Sequence, residues 1–362
     1  MGDHLPPRFQ SLLSFQGYRL GEGRNGAMPL GLALGESRGS AVIMKGWPAS
    51  ILAALCAAVA VTCFSLNDML IKFLSGDYAL HQIVLIRSII GLTILLAVFI
   101  PFSGTFSVLK TQRLGFHLLR GGCVVFANLT FFLGLSVLPL AEATAIFFIS
   151  PFLISLFSII FLKEKVGLHR WTALTMGMVG ILVILRPGTD AFKLASLLPI
   201  AAAFGYAMLH ILTRHIGKTE SALTMSFYIQ VTFMMICSGF GLVAGDGRFA
   251  QPESPALDFL FREWGVIAAD DLLVFVVIGC ASAFGGFFIS QAYRMAEAAY
   301  VAPFEYIALP LSIIWGLVIF GESPTYGVLI GIALIIASGL YVIWREAVKA
   351  SAKPVAEPRF RR

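Results

Sequence analysis

The chain has 362 residues, of which 58% are hydrophobic and only 13% charged. A soluble domain carries roughly 25% charged residues, so neither a soluble enzyme nor a chain disordered throughout fits this composition. The net charge of +6 leaves nucleic acid open as a partner until the charges are placed.

Residues 1–46 hold nine glycines, scattered charge of both signs and no spanning run. They read as a disordered cytoplasmic tail. They lack the apolar h-region of a signal peptide, and Pro6 breaks the myristoylation pattern. An alternative is that translation starts at Met44, just ahead of the first span. Gly21-x-Gly23-x-x-Gly26 and Gly35-x-Ser37-x-Gly39 lie in this tail. Without a preceding strand they carry no dinucleotide or nucleophile function.

A membrane-spanning helix needs about 20 mainly apolar residues. Hydropathy predicts ten: 47–74, 80–101, 115–137, 140–162, 168–186, 194–214, 221–244, 271–294, 297–320 and 325–345. The expected fold class is therefore all-α integral membrane. Residues 245–270 are rich in Asp, Glu, Pro and Gly and carry Phe261 and Trp264. They read as an extramembrane loop with an interfacial turn. Residues 346–362 form a basic tail. Cys56, Cys63, Cys123, Cys237 and Cys280 are dispersed in apolar runs and read as packing residues.

With the N-terminus inside and the spans alternating, 20 of the 26 basic residues fall on the cytoplasmic side. That is a positive-inside bias, with both termini cytoplasmic. It accounts for the positive charge, so no nucleic acid is implied, and the partner that the charge pattern points to is the lipid bilayer.

Ten helices divide into two fives. Phe161-Leu162-Lys163-Glu164 falls on Ile319-Phe320-Gly321-Glu322 at an offset of 158. Each follows a helix with a proline, Pro151 or Pro310, although the two prolines are one place out of register. Phe64 to Lys72 corresponds loosely to Tyr206 to Arg214 at an offset of 142. The reading is a first repeat at 47–186 and a second at 187–345. Five crossings are an odd number, so the second copy is inverted, the architecture that supports alternating access.

These repeated motifs, with Lys72 and Arg87 in the first two helices, resemble the drug/metabolite transporter superfamily, EamA type. The resemblance covers roughly 47–345. It implies a ten-helix carrier of small organic solutes in a bacterial inner membrane, neither enzyme nor ATP-driven pump. Pro303-Phe304-Glu305-Tyr306 is similar to members that move S-adenosylmethionine or riboflavin.

Charges inside spans are the candidates for function, because a charge at mid-bilayer faces a cavity or a partner. Glu305 lies about eight residues into the ninth span, or ~12 Å at 1.5 Å per residue. It reads as a substrate or proton group, or as half of a structural ion pair. Arg87 is a clamp for an anionic group, or a side chain that snorkels to the interface. Asp68 and Lys72 stand one turn apart, either as a local salt bridge or as cavity lining. Asn128 is a hydrogen-bond donor to substrate or interhelical glue. Tyr206 and His210 share one helix face, and Tyr306 follows Glu305. Phe147, Phe148 and Phe152 lie at depths matching Phe304 and Tyr306, which suits stacking on a flat ring. Gly327, Gly331 and Gly339 form a close-packing stripe, structural in role and available to a homodimer as well as a monomer. No cysteine-histidine cluster or Walker A lysine implies a metal or a nucleotide cofactor. A membrane sensor or assembly partner without transport is the alternative function.

Overall fold

The structure is a computed structural model that describes residues 49–99, 101, 109–163, 167–189, 193–216, 220–295, 301 and 304–351. The N-terminal tail with Met44 and its glycine motifs, Glu164, Pro303 and residues 352–362 lie outside them.

Twelve α-helices of seven or more residues occur among the described residues, and no strand does. They are α1 (Ala49–Leu74), α2 (Leu80–Ile94), α3 (Leu114–Leu135), α4 (Leu140–Phe147), α5 (Ser150–Leu162) and α6 (Leu168–Leu185). Then follow α7 (Leu197–Ile216), α8 (Ala222–Ala244), α9 (Pro255–Phe261), α10 (Leu272–Met295), α11 (Ala308–Phe320) and α12 (Tyr326–Ser351). Seven described segments are long and apolar enough to cross a membrane: Ile51–Leu74, Leu80–Val98, Leu114–Leu135, Leu140–Phe161, Leu194–Thr213, Leu223–Ala244 and Leu272–Ile289. Trp171–Leu185, Ala308–Phe320 and Tyr326–Val342 are shorter apolar helices. Outward side chains such as Leu119, Ile160 and Val318 are exposed, as a lipid-facing surface requires.

The register of the second half repeats that of the first. α3, α5 and α6 begin at Leu114, Ser150 and Leu168; α10, α11 and α12 begin at Leu272, Ala308 and Tyr326, each 158 residues later. α2 and α8 begin at Leu80 and Ala222, 142 apart. The difference is taken up between α8 and α10, by the segment that contains α9. Even the stops agree. α5 ends on Lys163 in a left-handed conformation (φ 55°), and α11 ends on Gly321 in the same one (φ 65°). A left-handed residue is the standard helix stop, and glycine adopts it without steric cost.

Packing pairs one half with the other. α1 packs on α10 and α3 on α7; α2 packs on α8, and α6 on α12. Lipid tails are as apolar as leucine, so close approach rather than hydrophobic drive holds such helices together. Gly180 on α6 lies against the Gly331 carbonyl on α12, where an added Cβ would come within 2.8 Å. Gly177 faces Ser338, and Gly339 faces Tyr306. The glycine stripe is thus occupied inside the chain, which takes away its use as a dimer seam.

One end of the bundle carries the connections 75–79, 136–139, 245–271 and 321–325; this is the long-loop end. The 245–271 segment is anchored there. Gln82 exchanges two hydrogen bonds with the Gly265 backbone, at 2.7 and 3.2 Å. The Tyr78 hydroxyl donates to Asp271 (2.7 Å), Phe259 is buried, and the Trp264 ring rests on Gly241.

Candidate functional site

The helix expected over 140–162 is broken. α4 stops at Phe147 and α5 restarts at Ser150. Pro151 lies in the first turn of α5, where its missing N–H is tolerated; further inside a helix it would not be. The second half breaks at the corresponding place, before α11. In both, the chain tightens into an i→i−3 turn: Ile149 N–H to the Ile146 carbonyl, and Ile307 N–H to the Phe304 carbonyl, each 3.1 Å. Pro310 is one place later in α11 than Pro151 is in α5, yet the helix starts agree. Breaks in membrane helices leave backbone groups to be satisfied by a neighbour or a ligand, and paired breaks in two halves mark transporter binding sites.

The breaks bring two rings together. Phe148 and Tyr306 stack at 5.3 Å with an interplanar angle of 27°. Next to them, Phe147 lies 5.2 Å from Tyr206, and His210 meets Tyr206 edge-on at 4.5 Å. The Glu305 carboxylate interacts electrostatically with both Tyr206 and Tyr306. Four candidates from the sequence, Glu305, Tyr306, Tyr206 and His210, therefore gather in one half-buried aromatic group drawn from α4, α7 and the turn before α11.

Arg87, Asn128 and Asp68 form a second group. Arg87 is buried, and its Nη2 donates to Asn128 Oδ1 at 3.2 Å. Its guanidinium lies 4.9 Å from the Phe233 ring and 5.6 Å from the Phe132 ring, within cation–π range. Asp68 accepts from Asn67 (3.2 Å) and interacts with the Arg87 charge. Arg87 does not snorkel to an interface; it is enclosed and countered. Arg87 Nε has no acceptor among the described residues. The groups connect through α3, where Phe132 underlies Arg87 and Phe131 touches Phe147 at 5.1 Å.

Lys72 belongs to neither group, and the expected Asp68–Lys72 bridge gives way to a longer-range one. Lys72 Nζ lies 2.6 Å from Glu322 and donates to the Leu138 carbonyl at 2.6 Å. The other Glu322 oxygen accepts the Leu140 N–H at 2.8 Å. The reason is position: Lys72 is in the last turn of α1 and meets the loop after α11, while Asp68 sits a turn deeper. Glu142 and Glu322 line a small recess beside this pair.

At the opposite end two further side chains, His117 and Arg120, make contacts between helices. His117 Nε2 lies 3.4 Å from one Glu220 oxygen, and the other oxygen accepts from Thr111 at 2.9 Å. Arg120 donates to Thr213 (2.8 Å) and to the Met225 carbonyl (3.0 Å), tying α3 to α7 and α8. The signal for His117 was a histidine in the first turn of a span, which is too common to weigh alone. Among the described residues no group of three His, Cys, Asp or Glu side chains is placed to hold a metal.

Residues 51–186 match the EamA-like transporter family. The chain is 28% identical to the S-adenosylmethionine uptake transporter of Rickettsia prowazekii, over 80% of this chain and 91% of that one. It is 32% identical to the riboflavin transporter of Rhizobium johnstonii, over 61% of this chain and 67% of that one. A solved crystal structure shares the fold, with a TM-score of 0.58 at 16% identity, covering 83% of this chain and 99% of its own.

Proposed function

The chain belongs to the EamA-like transporter family, and from that premise we propose that it carries a flat, ring-bearing metabolite past the stacked rings of Phe148 and Tyr306. Its family and relatives are transporters rather than enzymes, so a multi-pass membrane carrier of small molecules is the frame.

The observation that carries the finer reading is the pair of helix breaks. Each places an aromatic residue at the same repeat position, 148 and 306, and the two rings stack with Glu305 alongside. A flat heteroaromatic ring fits such a surface by offset stacking, for about 0.5–1.5 kcal/mol beyond the area it buries. Glu305 adds a negative charge, which favours a substrate whose ring system carries an amine, a sulfonium or several N–H donors. S-adenosylmethionine and riboflavin, named for two relatives, are the first probes.

Ten crossings arranged as two inverted five-helix repeats, with both termini cytoplasmic in a bacterial inner membrane, are part of the same reading. The shared 158-residue register and the cross-pairing of helices support it. In this arrangement the long-loop end faces outward. Lys72 with Glu322 closes that end between the halves, and Arg120 with Thr213 and Met225 holds the inner end. Alternating access then needs the two ends to part in turn.

The test is flux in proteoliposomes holding the full chain, with labelled riboflavin and S-adenosylmethionine offered separately. Glu305→Gln is expected to lower flux of the accepted probe at least tenfold, and Tyr206→Phe by less. Glu305→Gln and Tyr306→Leu both transporting at the wild-type rate would remove this site from the pathway.

A further inference from the structure

We propose that Gly339 is a specificity-determining position of this carrier, because its missing side chain seats Tyr306 and so sets how thick a ring the site admits. The proposal rests on the reading of Phe148 and Tyr306 as the substrate surface.

Tyr306 is held between two surfaces. On one side is Phe148, stacked at 5.3 Å. On the other is α12, where Gly339 is buried and the Tyr306 ring and hydroxyl lie directly against its backbone. A Cβ added to Gly339 would overlap both the ring carbon that carries the hydroxyl and the hydroxyl itself. Either α12 must back away or the ring must move.

α12 has little freedom to back away. It is seated on α6 through glycines: Gly180 against the Gly331 carbonyl, Ile184 against Gly331, and Gly177 against Ser338. Ser338 adjoins Gly339, is itself buried, and donates to the Ile335 carbonyl at 2.8 Å. Close-packed cores relax only partly around an added methyl group. The tyrosine is the softer partner. Its way out is toward Phe148, across the ring faces on which the substrate is proposed to stack.

The repeat shows that this seat belongs to one half only. The position 158 residues before Gly339 is Ile181, a buried residue in the same apolar cluster as Phe148 and Tyr306. Phe148 has a full side chain at the equivalent place, while Tyr306 has bare backbone. Of the two rings, Tyr306 is the one seated directly on backbone, so a side chain added behind it acts on the site from the second half.

Gly339→Ala should therefore raise KM for the accepted ring-bearing probe about tenfold or more, with maximal flux within twofold of wild type. Gly339→Ala combined with Tyr306→Leu should bring KM back to that of Tyr306→Leu alone. Thermal unfolding of the four proteins in detergent supplies a readout that needs no substrate. Gly339→Ala should lower Tm when Tyr306 is present. In the Tyr306→Leu background, where the facing side chain is shorter, it should leave Tm unchanged or raised, since alanine is otherwise the better helix former. Equal Tm shifts in both backgrounds would mean the two residues are not coupled and would overturn the proposal at its geometric root. Coupled Tm shifts with an unchanged KM would overturn the specificity role while leaving the contact in place. A wild-type protein that carries neither riboflavin, S-adenosylmethionine nor adenosine would overturn the ring-transport reading itself, and the proposal with it.

Discussion

Arg87 shows how a single charge is kept inside a membrane. Its guanidinium is buried, faced by two aromatic rings, and matched by Asn128 and by the Asp68 charge. Removing Arg87 takes away the donor on Asn128 and the positive charge acting on Asp68, and a polar group left unpaired in this way costs about 1–3 kcal/mol. Arg87→Ala is expected to lose that much stability in detergent unfolding, and Arg87→Ala with Asp68→Asn is expected to regain most of it. Arg87→Lys should also lose stability, since an ammonium replaces neither the planar stacking nor the fixed donor geometry. The sequence placed Arg87, Asn128 and Asp68 at plausible depths but could not show that they share one group. They lie on three helices, and hydropathy reports depth without azimuth. Lys72 shows the same limit from the other side. Asp68 four residues away was the visible partner, whereas the partner it has, Glu322, is 250 positions along the chain.

At the scale of helices, the proposed mechanism rests on the two turns that precede α5 and α11 and on the Lys72–Glu322 pair at the long-loop end. Pro151 and Pro310 were visible in the sequence, and so was the offset of 158. That the first proline-bearing span divides into two helices, and that the second tightens into a turn at the corresponding place before α11, was not, since a proline in a first turn and a proline in a kinked helix leave the same hydropathy trace. The glycine stripe on α12 was legible as a packing surface, but its partner, α6, was not, because glycine records only that something comes close. The Lys72–Glu322 pair joins the end of α1 to the loop after α11, across the two halves. Lys72→Met and Glu322→Gln are each expected to slow transport at least fivefold. They should also increase labelling of Cys237, which is buried beside Arg87, by a membrane-impermeant maleimide added at the long-loop end. The reversed pair, Lys72→Glu with Glu322→Lys, is expected to restore closure and part of the flux. Unchanged Cys237 labelling in both single variants would show that this pair does not close the end it occupies.

Among the described residues, α1, α2, α3 and α6 find their main partners in α10, α8, α7 and α12, across the proposed repeat boundary. Positive charge on one side was readable from the sequence, and the orientation proposed from it can be checked directly. In spheroplasts of a strain expressing the chain with its five cysteines replaced, an added cysteine at Glu253 should react with an impermeant maleimide. One at Lys110 should react only after lysis. Both positions are exposed, so burial does not confound the comparison. The reverse pattern would turn the molecule over and place the Lys72–Glu322 pair at the cytoplasmic face.

The cross-pairing also bears on how the chain is made. α1 packs on α10, and α6 on α12, so the first half leaves the ribosome before its partners exist. Roughly 200 residues separate the end of α1 from the start of α10, which at about 5–20 residues per second is a wait on the order of 10–40 s. Until Phe233 and Glu322 have been made, Arg87 and Lys72 sit in lipid or against the insertion machinery without those long-range contacts. Nascent chains halted after α6 are therefore the form of this protein most dependent on an insertase and most open to quality-control proteolysis.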